Sequence, residues 1–252
     1  MKSSDEGIMP VIKNYWADAA AVYSEHIQKE FFEGRDRIWL DLILKNAPEK
    51  DVLDILDVGT GPGFFPVILA GAGHRVSAAD CTEQMLEEAA ANLEAAGVTA
   101  RLYVTDSHVL DFEADSFDLV VSRNVTWTLY DPVKAFTEWK RVLRPGGRII
   151  IFDANYGMYC FDEKIAAQRE RDARLYEEKY GEPAHPDRDE YIDRMFLSDK
   201  QRPEWDMDAF TALDMDVCSE KDISQLVGTE KSRLAGSTSP MFMVRAEKKL
   251  KK

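Results

Sequence analysis

The sequence predicts an α/β fold, a parallel sheet with helices on both faces, and two observations carry that reading. From about residue 52 to 153, short apolar runs alternate with stretches of helical periodicity, an order that calls for successive strand–helix–strand units. The first run also ends in a glycine-rich turn that opens directly into a helix.

Taken in order, Val52–Val58 is a short apolar run ending at glycine, and Arg75–Asp80 is a second ending at a carboxylate. Ala100–Thr105 is a weaker strand with partial alternation, Phe117–Ser122 a stronger one, and Arg148–Asp153 a fifth introduced by the turn Pro145-Gly146-Gly147. Between the second and third lies a helix with Thr82 as N-cap. Met85, Leu86, Ala89, Ala90 and Leu93 stand at helical spacing, and Gly97 stops it. Asp131-Pro132 opens another helix, whose Ala135, Phe136, Trp139, Val142 and Leu143 share one face.

The flanks differ from this core. Residues 8–47 read as helical, with Tyr15, Trp16, Ala19, Tyr23, Phe31, Ile38, Trp39, Leu42 and Ile43 as the apolar set. In residues 162–208, 24 of 47 positions are Asp, Glu, Lys or Arg, too many for a second core, so this stretch is expected to be a solvated helical excursion. Residues 239–246 read as a closing strand with Val217–Ser219 in its partner, and Lys248, Lys249, Lys251 and Lys252 as a solubilising tail. The expected division is 1–47 helical cover, 48–153 core, 154–208 helical lid insertion and 209–252 closing strands with the basic tail.

The 252 residues carry 46 acids against 32 Lys and Arg, a formal charge of −14. Such a surface repels phosphate backbones and anionic lipid, so neither nucleic acid nor membrane is an expected partner. No apolar run reaches the roughly 18 residues of a membrane span, and Met1–Glu6 lacks the apolar stretch of a secretory signal. A cytoplasmic location is expected, as monomer or homodimer. Cys81, Cys160 and Cys218 lie far apart and form no CxxC pair, so neither a disulfide framework nor a metal site is expected.

The most informative segment is Leu56-Asp57-Val58-Gly59-Thr60-Gly61-Pro62-Gly63-Phe64-Phe65. Glycines let a backbone turn tightly and approach a ligand, and the following helix N-terminus offers free N–H groups. The pattern is GxGxG, not the GxGxxG of dinucleotide folds, and Asp57 two residues before it is a poor neighbour for pyrophosphate but suits a cationic headgroup. Asp80, 21 residues beyond Gly59, ends the second strand where a carboxylate accepts hydrogen bonds from both ribose hydroxyls. Asp106-Ser107 ends the third, where an acid can receive an adenine amino group.

These residues resemble the class I S-adenosylmethionine-dependent methyltransferases over roughly residues 50–155. LDVGTGPG at 56–63 resembles the family's first motif, and Asp80 and Asp106 match its ribose- and adenine-binding positions. Asp111–Val120 resembles the run into its fourth strand, and Val142–Arg148 its turn before the fifth. The resemblance implies a Rossmann-like seven-stranded, mostly parallel sheet whose last strand is antiparallel. It also implies methyl transfer from S-adenosylmethionine, releasing S-adenosylhomocysteine, with Asp57, Gly59, Thr60, Gly61, Gly63, Asp80, Cys81, Met85, Asp106, Ser107 and Asn124 at the cofactor.

After the fourth strand, Arg123-Asn124-Val125-Thr126 stands where many enzymes that methylate planar amines have an Asn-Pro-Pro-Tyr type motif. With the acidic charge, this points to a small-molecule acceptor methylated on N, O or S. Acceptor-pocket candidates are Tyr15, Tyr23, His26, Asn124, Trp127, Asn155 and Tyr156, and no residue stands out as an obligatory base. The alternatives are a protein or RNA acceptor contacted by Arg188, Arg194 and Arg202, and a module that binds the cofactor without catalysis. A nicotinamide oxidoreductase ranks below both, disfavoured by GxGxG and Asp57.

Overall fold

The chain's structure is a computed structural model that describes residues 6–184, 191–236 and 238–250. Arg188, Lys251, Lys252 and Met1–Asp5 lie outside the described residues. Helices α1 (Met9–Phe32) and α2 (Asp36–Asn46) precede a core of β1 (Asp54–Val58), α3 (Phe64–Gly71), β2 (Arg75–Asp80), α4 (Glu83–Ala96), β3 (Arg101–Val104), β4 (Phe117–Arg123), α5 (Pro132–Val142) and β5 (Leu143–Asp153). There follow α6 (Glu163–Tyr180), α7 (Glu204–Ala212), β6 (Met215–Glu220), α8 (Ser224–Val227), α9 (Glu230–Ala235) and β7 (Phe242–Lys248).

The seven strands form one sheet in the order β3-β2-β1-β4-β5-β7-β6. Pairing is parallel from β3 to β5, and β7 runs antiparallel to both β5 and β6. Side chains alternate across it as the strand period of two requires. Ile150 and Phe152 of β5 pack with Trp39, Phe65 and Leu69 on one face. Ile149 and Ile151 pack with Phe136, Trp139 and Phe210 on the other.

The local signals act much as read, with instructive departures. Asp131 caps α5 by accepting from the Lys134 N–H, with Pro132 opening the helix. Gly97 ends α4 at φ 68°. Thr82 takes the extended N-cap conformation, but its side chain makes no capping bond. Instead the Thr82 N–H is held by Asp80. Pro145-Gly146-Gly147 lies inside β5, not before it, as an irregularity at which pairing skips from Phe117–Leu143 to Leu119–Arg148.

The boundary drawn at residue 208 falls within α7, which packs Phe210 against the sheet. That helix therefore acts as the crossover into β6. The tail lysines are not merely solubilising: Lys248 binds Asp115 at 2.8 Å and the Leu143 carbonyl at 2.5 Å, and Lys249 binds Asp214.

Candidate functional site

Parallel strands leave a crevice beyond their carboxyl ends where the strand order reverses, here between β1 and β4. The turn after β1 is anchored first. Gly59 and Thr60 both donate their N–H to the Ala79 carbonyl of β2, and Gly61 donates to Asp80 Oδ2 at 2.9 Å. Asp80 Oδ1 accepts from the Thr82 N–H at 2.9 Å. One carboxylate thus ties the glycine turn to the start of α4. Burial pushes this carboxyl up, and the N–H donors of Gly61, Thr82 and Cys81 oppose that rise.

The three glycines of the turn have left-handed φ and different surroundings. A β-carbon on Gly59 would stand 2.3 Å from the Val125 side chain, and one on Gly63 3.0 Å from Ala89 of α4. At Gly61 nothing is nearer than Met85 Sδ at 3.8 Å and Tyr23 Cδ1 at 4.0 Å. Gly59 and Gly63 therefore serve close packing, whereas a β-carbon at Gly61 would meet only ordinary van der Waals contacts.

Gly61 lines a cavity at the carboxyl end of the sheet. Its floor is the turn with Asp57, Asp80, Cys81 and Met85, and Thr105, Ser107 and His108 line one side. Met9, Ile12, Trp16, Tyr23 and Ile27, a single stripe along α1, form the roof. Burial pushes Cys81 up to about 11, so its thiol stays protonated.

Asp57 is 2% exposed. Burial pushes it up to about 7, with Asp80 adding to the rise and the Thr60 hydroxyl and Arg123 opposing it. Between about pH 4 and 7 the folded chain therefore holds a proton that the unfolded chain has released. The stability from this group is complete below about pH 4 and is lost as the pH rises to about 7. A cationic ligand reverses that cost. S-adenosylmethionine affinity is accordingly expected to rise from about pH 6 to 8, and Asp57→Asn to flatten the rise; parallel calorimetric profiles for wild type and variant would check it, and identical profiles would remove Asp57 from the site.

Asp106 is placed differently from the other carboxylates. Burial raises it, but the His108 ring at 2.6 Å, the His108 N–H at 2.9 Å and the Tyr130 hydroxyl at 3.0 Å outweigh burial and hold it at about 2. His108 stacks on Tyr130 with ring centroids 3.6 Å apart. Asp106 does not line the cavity, whereas its neighbours Thr105, Ser107 and His108 do.

At the end of β4, Asn124 adopts φ 59°, a left-handed conformation that asparagine tolerates better than most residues. Its N–H donates to the Phe152 carbonyl, and its own carbonyl accepts from the Trp127 indole. The side chain donates to the Tyr23 hydroxyl at 3.4 Å and accepts from the Tyr156 hydroxyl at 2.9 Å. Asn124 and Arg123 line both this cavity and a second, more polar cleft that also takes in His26 and Tyr156.

Tyr15, Trp127 and Asn155 line neither space. Tyr15 and Trp127 pack with Tyr191 behind the wall, Trp127 stacked at 6.0 Å. Asn155 donates to the Arg202 carbonyl.

Arg123 and the stripe members Met9, Ile12 and Trp16 escaped the sequence reading of the site, which named only Tyr23 among these four roof residues. Arg123 sits 4.4 Å over the Phe64 ring and 5.0 Å over Trp39, paired with Glu30 at 2.9 Å. A cation ending an otherwise buried strand was its available signal. The Met9/Ile12/Trp16/Tyr23 stripe was legible as a 3.6-residue period.

Comparison with known proteins finds similarity over the core. Residues 56–151 match the model of a methyltransferase domain. Over these residues the chain is similar to the class I S-adenosylmethionine-dependent methyltransferases. The chain is 39% identical over 128 residues to the ubiquinone/menaquinone biosynthesis C-methyltransferase UbiE of Paracoccus denitrificans, covering 48% of this chain and 50% of that one. It is 35% identical over 118 residues to the demethylmenaquinone methyltransferase of Clavibacter sepedonicus, covering 47% and 48%. The chain thus spans about half the length of these relatives. A crystal structure from Methanococcus maripaludis aligns over 94% of both chains at a TM-score of 0.62 and 19% identity, which shows the shared fold.

In this chain, Arg202 is not a surface contact for a macromolecular acceptor. It is 4% exposed, bidentate on Asp206 at 2.8 Å and 3.3 Å from Asp153. Arg194 is exposed. No helix among the described residues is long and apolar enough to cross a membrane.

Proposed function

We propose that the chain transfers a methyl group from S-adenosylmethionine to a small-molecule acceptor. The observation that carries this reading is the cradle around Gly61. Its missing side chain lets a ligand approach the backbone, the Asp80 carboxylate stands beside it, and both line one mainly apolar cavity with Asp57, Ser107 and Asn124.

The sulfonium supplies an already activated methyl group. The residues of the chain then have to align and dehydrate the reactants, which is worth several kcal/mol of barrier. Asp80 holds the ribose, Asp57 balances the positive charge, and Ser107 and His108 flank the base. Trp16 and Tyr23 cover the cavity and keep water out. Asn124, fixed through its backbone at both ends, presents its amide with the Tyr23 and Tyr156 hydroxyls where cavity and cleft meet. The acceptor atom is oriented there.

The UbiE-type relatives support a small acceptor, and their names add carbon to the N, O or S acceptors that the sequence suggests. The burial of Arg202 removes one of three basic contacts on which a protein or RNA acceptor was argued.

Asp80→Ala is expected to weaken S-adenosylhomocysteine binding by about 1–3 kcal/mol, the loss of a charged hydrogen-bonding partner. Unchanged affinity in the folded variant would remove Asp80 from the site. The function is tested by incubating the protein with methyl-labelled S-adenosylmethionine and a panel of quinols, phenols, amines and thiols. Label in a low-molecular-weight product supports the reading. Label only in added protein or RNA overturns the acceptor class.

A further inference from the structure

The cleft beyond Asn124 carries a charge balance unlike that of the chain as a whole. Five cations line it against three carboxylates, in a chain whose formal charge is −14. Each carboxylate is committed: Glu33 to Lys29 at 3.9 Å, Glu30 to Arg123 at 2.9 Å and Glu182 to Lys231 at 2.6 Å. Glu230, whose charge acts on Arg233 from outside the cleft, is bound to Lys179 at 2.6 Å.

Two arginines remain in excess. Arg233 gives one guanidinium N–H to the Gly228 carbonyl at 2.9 Å and has others to spare. Arg35 makes no side-chain hydrogen bond or ion pair among the described residues, although it is only partly exposed. A half-desolvated guanidinium without an acceptor is incomplete, and its fork geometry matches carboxylate and phosphate. The two approach the cleft from separate elements, Arg35 from the α1–α2 junction and Arg233 from α9.

We propose that the methyl acceptor carries an anionic group, a carboxylate or a phosphate, which Arg35 and Arg233 seat in this cleft while the reacting end reaches Asn124. The inference rests on the methyltransferase reading and deepens it. It reconciles an acidic protein with an acidic acceptor: the overall field slows encounter, and a local pair of cations provides selection. Tyr156 and Tyr176 also line the cleft.

Calorimetry with 4-hydroxybenzoate, phenyl phosphate and neutral 4-hydroxybenzamide tests this, on protein alone and on protein saturated with S-adenosylhomocysteine. At least one anion is expected to bind at least tenfold tighter than the amide, and Arg35→Gln to remove most of that preference. Arg35→Gln/Arg233→Gln should abolish it while S-adenosylhomocysteine affinity stays constant. If one anion alone binds, the two anions tell carboxylate from phosphate. Equal binding of anions and amide, binding of neither anion, or a double variant that behaves as wild type would overturn the proposal. Loss of S-adenosylhomocysteine binding would instead overturn the cofactor reading, because the anion series on ligand-free protein reads the cleft independently.

Discussion

Gly61→Val is expected to yield a folded protein that binds neither S-adenosylmethionine nor S-adenosylhomocysteine, with affinity reduced at least about 100-fold, or about 2.7 kcal/mol. The fold has room for the change. The new β-carbon finds no atom nearer than 3.8 Å, and the Gly61 N–H that Asp80 holds is retained. Its cost to the protein is the left-handed conformation at φ 52°, about 1–2 kcal/mol for a residue with a β-carbon, which a domain stable by about 5–15 kcal/mol survives. The added methyls would occupy the ligand's place. Gly59→Ala provides the contrast. There the β-carbon lies 2.3 Å from Val125, so stability falls before binding can be tested. Circular dichroism with calorimetry separates the two cases, and tight cofactor binding by folded Gly61→Val would disprove the assignment of the turn.

Arg202→Met is expected to destabilise the chain by about 3–5 kcal/mol, the cost of leaving buried carboxylates without their cation. Asp153, at the end of β5, accepts from the Trp127 and Ala154 N–H groups and from the Thr126 hydroxyl. Arg202 completes the cluster by reaching Thr126 as well as both aspartates. The network therefore ties residues 202–206 to the turn after β4 that carries Asn124 and Trp127. Removing Asp206 as well should recover part of the loss, because one uncompensated charge goes with it. Denaturant titration of wild type, Arg202→Met and Arg202→Met/Asp206→Leu reads both effects. A single variant within about 0.5 kcal/mol of wild type, the ordinary range for a surface change, would show that the cluster contributes nothing.

These two residues also show what the sequence discloses. Gly61 was legible because its role is local: a strand, a tight turn and a helix are contiguous, and a carboxylate one strand later lies at fixed spacing. The parallel order of the first five strands was legible for the same reason, since apolar runs and their caps act over a few residues. Arg202 was not. Within the charged stretch 162–208 it looks like its solvated neighbours, and only the fold brings Asp153, 49 residues earlier, against it. Asp106 illustrates a subtler limit. Its position after β3 was correctly located, but its carboxylate is claimed by His108 two residues on and Tyr130 across the crevice, a partnership that spacing does not announce. The surplus of Arg35 and Arg233 likewise emerges only when each neighbouring carboxylate has been assigned to its own cation.

Calorimetric titration of the purified protein with S-adenosylmethionine, S-adenosylhomocysteine and NAD tests the central claim most directly. The account predicts roughly micromolar binding, about −8 kcal/mol, for both sulfur ligands and no heat from NAD. Binding of NAD with silence from the sulfur ligands would contradict it, because the Gly61 cradle and the buried Asp57 would then be serving a pyrophosphate.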